Sequence, residues 1–206
     1  MKTIKRFLCC IGCIAVGLFV IVLLIGGTNE QNVVVSNWQP ETISTPKPPS
    51  VSITYTPMDV PNINSSFKSW MDYKTVTNKQ SNQYKYITQY GWVDNQGFVR
   101  ANGDLEYGIT DDYYLIALGS YYGTTIGTKY RITTDTGNVF YGVLADCKAD
   151  IHTDSSNRYN TWSNNVVEFI VDSKILNKDV KLHGSANVYM PLNGSIVSIE
   201  KINFSN

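Results

Sequence analysis

Short runs rich in Val, Ile, Tyr, Phe and Thr recur along the C-terminal half of the chain, at 97–101, 113–118, 129–134, 139–146, 166–172 and 196–204, each bounded by Gly, Asn or Asp. These residue types suit a pleated, half-buried surface, and the runs predict six β-strands. Between two of them, Asp135-Thr136-Gly137-Asn138 reads as a hairpin turn, because Gly137 and Asn138 tolerate positive φ. Six strands with no helical pattern of roughly 10 to 15 residues between them predict a mainly β domain. A small six-stranded barrel or a sandwich fits, and barrel closure would also remove exposed strand edges.

Ahead of the strands the pattern is mixed. Ser65 or Ser66 can cap a short helix that presents Phe67, Trp70 and Met71 on one face, and Ser81 can open a second one covering Tyr84 and Ile87. One connection stands out: 147–165 is a polar stretch between two strong strands, and connections that long in compact domains are usually functional or disordered.

The N-terminal pattern is different again. Lys2, Lys5 and Arg6 precede an uncharged run of 19 residues, 7–25. As a helix such a run spans about 28 Å, the thickness of a bilayer core. Residues 1–27 are therefore expected to be a single-pass membrane anchor, with the basic flank in the cytoplasm and the rest outside. A cleaved signal peptide and a lipoprotein box at Cys13 are the alternatives. Residues 28–62 are polar and carry Pro40, Pro46, Pro48, Pro49, Pro57 and Pro61, which predicts an extended extracytoplasmic linker. The β-domain is then 63–206.

The chain has 206 residues, with 17 basic and 17 acidic side chains. That balance lacks the basic excess that phosphate-binding proteins use, so nucleic acid is not an expected partner. Aromatic residues make up 12 %, enough apolar area to argue against a disordered chain. Three of the four cysteines, Cys9, Cys10 and Cys13, lie in the apolar run, which leaves Cys147 alone in the exported part and excludes an internal disulfide there.

Ionisable groups concentrate at the end of the fourth strand and in the loop after it: Asp146, Lys148, Asp150, His152, Asp154 and Arg158. Glu168 sits inside the next apolar strand, where alternation places it on one face with Val166 and Ile170. Burial there would favour a protonated carboxyl, whereas a nearby Lys or Arg would make an ion pair. Asp150-x-His152-x-Asp154 offers metal-ligand types. The glycine and closing acid of a calcium loop are missing, however, and two histidines in the whole chain are few for zinc, so no metal or other cofactor is expected. Cys147 has no catalytic signature around it.

The segments 116–120, 126–130, 141–146 and 165–169 taken in order resemble the 3D (Asp-Asp-Asp) domain, a double-psi β-barrel of cell-wall-active proteins. The similarity covers about residues 113–171. Asp146 matches the middle aspartate, Glu168 stands where the third would be, and Gly119 occupies the place of the first. The segments 117–124, 145–155 and 165–172 are also similar to exported proteins, of no assigned activity, carried by Firmicutes prophages and integrative elements. The resemblance implies action on peptidoglycan glycan strands by glycosidic bond cleavage of the lytic transglycosylase type. Asp146 would be the acid and base, and Glu168 the group that stabilises positive charge on the sugar. Substrate contacts are expected from this chain's own residues, since 150–154 has no counterpart in the family: Asp150, His152, Asp154, Arg158, Trp162 and Tyr122, with Tyr121 and Tyr159 as further stacking candidates. A non-catalytic module that binds wall glycan is the competing reading. A third is a loop that recognises a protein partner in an envelope apparatus.

Overall fold

The computed structural model describes residues 51–63 and 67–205. The predicted anchor at 1–27, the first part of the linker and the two serines at 65 and 66 lie outside the described residues. Among those described, no helix is long and apolar enough to cross a membrane.

The domain is mainly β, with a mixed sheet and few helices. Its strands are β1 (Ser52–Met58), β2 (Ser69–Asp72), β3 (Trp92–Val93), β4 (Val99–Ala101), β5 (Tyr113–Leu118), β6 (Lys129–Thr134), β7 (Val139–Cys147), β8 (Glu168–Val171) and β9 (Ile196–Ser205). The helices are α1 (Asn82–Tyr90) and α2 (Lys178–His183), accompanied by short 3-10 turns. The strands run in the order β1-β9-β6-β7-β5-β4-β3, while β8 joins β5 beyond the end of β4 and β2 adds to β8. Pairings β5 with β7 and β2 with β8 are parallel; the others are antiparallel.

The six predicted strands are present, and two, β5 and β6, have the bounds read from the sequence. Nine strands pair among the described residues rather than six. In this set the path ends at β1 and β3, with β8 and β2 branching from β5 and an isolated bridge joining Phe98 to Val171.

Three local expectations change. Residues 52–58 are a strand rather than linker, antiparallel to β9, with Ile53 and Tyr55 turned toward the core and Pro57 tolerated because β1 is an edge. Residues 69–72 are a strand rather than a helix. Trp70 packs into one core cluster and Met71 into the other, the alternation of a strand, and β8 supplies the backbone partners that a three-residue helical pattern could not compete with. In the hairpin turn only Gly137 has positive φ, at 86°. The helix opened by Ser81 forms as expected, with the serine hydroxyl accepting from the Tyr84 N–H at 3.1 Å.

Every residue of β5 is buried, which makes it the centre of the domain. Tyr114, Ile116 and Leu118 enter one core cluster and Tyr113 and Leu115 the other. In the first, Phe98, Tyr114 and Phe169 meet edge to face with centroids 5.3 to 5.6 Å apart, the geometry favoured by the ring quadrupole.

Lys68 is fully buried; its ammonium donates to Asn187 Oδ1 at 3.0 Å and to the Gly194 carbonyl. Burial lowers its pKa to about 8, against the opposing pull of Asp135. The unfolded chain, with an ordinary lysine near 10.4, then holds the proton more tightly, so stability rises as pH climbs from about 8 to about 10. The rise is bounded at about 3 kcal/mol by the size of the shift. Urea titrations between pH 7 and 10 should show it in the wild type and lose it in Lys68→Met; equal slopes in the two would contradict this account.

Candidate functional site

The parallel pairing of β5 with β7 runs in register as far as Ile116 opposite Leu144, then slips so that Ala117 faces Asp146, leaving Ala145 as the extra residue of a bulge. On the other side of β5, antiparallel β8 sets Glu168 opposite the same Ala117. Asp146 and Glu168 therefore flank one small residue on three adjacent strands, their backbones about 10 Å apart at two strand spacings. Glu168 shares its face with Ile170, while Phe169 and Val171 enter the opposite cluster, as alternation predicts. Val166 departs from that prediction because the strand starts only at Glu168, and both Val166 and Val167 pack into the cluster of Phe169.

Each acid has a distinct environment. The Asp146 carboxyl is pushed above the usual range by burial and then by the charge of Glu168. The Cys147 N–H, 2.8 Å from Asp146 Oδ1, and the Gln83 side chain work against that shift. Gln83 lies in the first turn of α1, so the cap at Ser81 fixes it beside the acid. Glu168 is in an ion pair, its Oε2 3.3 Å from Lys148 Nζ, which also donates to Asn165 Oδ1 at 2.6 Å. The Lys148 side chain is 5 % exposed; burial lowers its pKa and Glu168 opposes this. Its own backbone N–H continues the sheet to the Leu118 carbonyl.

The arrangement brings together Asp146, Glu168, Lys148, Asn165 and Gln83. Lys148 was visible as a charge two residues beyond Asp146 but carried no assigned role. Asn165 and Gln83 gave no signal, because an amide in a polar loop and an amide in an amphipathic helix are both ordinary.

The other predicted site residues build the 147–165 loop. Asp150 Oδ1 accepts from the Ser120 hydroxyl at 2.7 Å. Asp154 accepts from the backbone N–H groups of Ser156, Arg158 and Tyr159. Burial acts to raise its pKa, but these bonds and the Arg158 charge hold it below the usual carboxylate range. Arg158 reaches across to Asp59 at 2.7 Å. His152 stacks against Trp162 with centroids 4.9 Å apart, and Trp162 is 79 % exposed. Tyr122 is a correction: at 1 % exposure, with its hydroxyl on the Asp59 carbonyl, its ring packs in the core and is closed to a sugar. Among the described residues no group of three His, Cys, Asp or Glu is placed to hold a metal. Burial raises the Cys147 thiol, with Asp146 and Asp150 adding to it, which keeps the sulfur a poor nucleophile.

The loop is thus a built structure, and Asp154 is its centre. Asp154→Ala leaves three backbone donors without their acceptor and should cost about 2 kcal/mol. A lower denaturation midpoint with faster amide exchange at Ser156, Arg158 and Tyr159 checks this, and unchanged exchange would argue against it.

Gly119 leaves no room for a side chain. A Cβ there would lie 2.0 Å from the Asn157 carbonyl oxygen, which also accepts from the Tyr121 N–H. Asn157 takes the left-handed conformation, φ 55°, inside the loop. Loop backbone occupies the space that a side chain at 119 would need. Comparison with known protein families, with curated proteins and with solved structures found no match.

Proposed function

We propose that this domain cleaves glycosidic bonds in peptidoglycan glycan strands, in the manner of a lytic transglycosylase. The observation that carries the reading is the placement of Asp146 and Glu168 on either side of Ala117, with Asp146 held in the protonated direction by burial. A carboxyl whose pKa is raised keeps its proton to higher pH and can give it to the leaving oxygen. The Asp146 carboxylate so formed then takes the proton of the sugar's own 6-hydroxyl as that oxygen closes on C1, which regenerates the acid and leaves a 1,6-anhydro end. Glu168, oriented by Lys148, supports the positive charge that develops on the ring. The resemblance of 113–171 to the 3D domain, and with it a double-psi arrangement of the central strands, supports the same reading. The uncharged run at 7–25 behind Lys2, Lys5 and Arg6 supports a membrane anchor that holds the domain on the wall side.

The test is digestion of purified peptidoglycan by the full chain, read by mass spectrometry for 1,6-anhydro ends. Release by the wild type is expected. No release would overturn cleavage and leave the second reading, a glycan-binding module, favoured by the loss of the first acid at Gly119. The exposed Ile151 and Trp162 on the loop favour, in that case, a further contact with an envelope protein.

A further inference from the structure

We infer that the flank of α1 is a binding groove for a neutral, N-acetylated sugar strand, extending the site of Asp146. The inference rests on the glycan reading above. Two adjoining hollows, of about 440 and 550 Å³, share Tyr86, Gln89 and Tyr90 as a common wall. The tyrosine rings are 4.9 Å apart, and Tyr90 is 53 % exposed. Ring faces of this kind suit the C–H side of a sugar, whose hydroxyls and amides then need planar partners that both give and accept hydrogen bonds.

Such amides are present: Asn82 lines the first hollow and Asn102 the second, where the Asp104 carboxylate adds an acceptor. The Asp104 carboxylate is fixed by Lys129 at 2.7 Å and by the Tyr113 hydroxyl at 2.6 Å, so its charge is balanced within the groove. A fixed, charge-compensated carboxylate beside amides fits a polyhydroxylated ligand, and Lys85 on the first hollow adds a single positive charge, so the preference for a neutral strand over a polyanion is what the tetragalacturonate comparison reads. The groove also belongs to the acid's neighbourhood. Gln83, bonded to Asp146, stands three residues before Tyr86 and seven before Tyr90, spacings that put all three along one face of α1.

The probe is the β-1,4-linked tetramer of N-acetylglucosamine, titrated calorimetrically into the full chain carrying Asp146→Asn. Binding is expected, weakened at least tenfold by Tyr90→Ala and by Gln89→Ala. Val197→Ala, an exposed apolar change on β9, should leave it unchanged. No binding, affinity indifferent to both groove substitutions, or equal binding of tetragalacturonate would each overturn the groove. Cleavage is separable from it: tetramer binding without any 1,6-anhydro release by the wild type upholds the groove and sinks the cleavage reading. Release with KM unmoved by Tyr90→Ala does the reverse.

Discussion

Asp146→Asn is expected to lower the release of 1,6-anhydro ends by about two orders of magnitude or more, the usual range for loss of a general acid. The amide keeps an oxygen for the Cys147 N–H and for Gln83, so the bulge and the start of α1 should survive. What is lost is the transferable proton. Because burial and Glu168 raise the Asp146 pKa, the wild-type rate should fall as pH rises through that elevated value, with the acid form as the active one. Stability carries the opposite mark of the same shift. In the window between the ordinary aspartate value, about 3.9, and the raised one, the folded chain holds a proton that the unfolded chain has released. Folding is therefore weakened as pH climbs through that window, and the substitution should remove this slope. Urea midpoints at stepped pH for both proteins measure it. A variant with full release, or a slope unchanged by the substitution, would remove Asp146 from the proposed chemistry.

Gly119→Asp, which would put an acid where the proposed resemblance places its first aspartate, is expected to damage the domain rather than improve it. The new Cβ meets the Asn157 carbonyl at 2.0 Å, a contact with backbone that no rotamer change relieves. Since Asn157 is held in the left-handed region and its carbonyl receives the Tyr121 N–H, relief requires moving the loop. A cost of about 3 kcal/mol is expected, at the high end for overpacked sites. Thermal denaturation of the variant reads the cost, and proton–deuterium exchange shows whether 147–165 is the part released. Wild-type stability with gained activity would show instead that the loop readily yields the position, and the argument for a two-acid site would fail.

The strands at the centre were legible for two reasons: burial on both faces forces a continuous apolar run at 113–118, and at 129–134 buried residues alternate with half-buried ones. Strands β1 and β2 were hidden for the reverse reason. Ser52–Met58 sits on an edge and Ser69–Asp72 is four residues long, so their identity comes from β9 and β8, whose free edges they complete. Residue pattern weighs little where the partner strand decides.

The site divides along the same line. Asp146 at a strand end and Glu168 inside an apolar run are anomalies of local composition, visible in one dimension. That they face each other across Ala117 depends on a one-residue slip in the β5–β7 register and on β8 reaching the far edge of β5. Neither can be read from spacing, because side-chain direction in a sheet reverses with each step of register. The loop shows the converse. Its density of Asp, His and Arg suggested chemistry, yet Asp154 and Arg158 are committed to backbone donors and to Asp59, and Tyr122 to the core. The sequence by itself determined which residues carry charge into an apolar setting and where the central strands lie, since those follow from residue type and alternation. Only the tertiary structure decided which of those charges meet, because long-range pairing and the packing of a loop carbonyl against Gly119 set the distances between them.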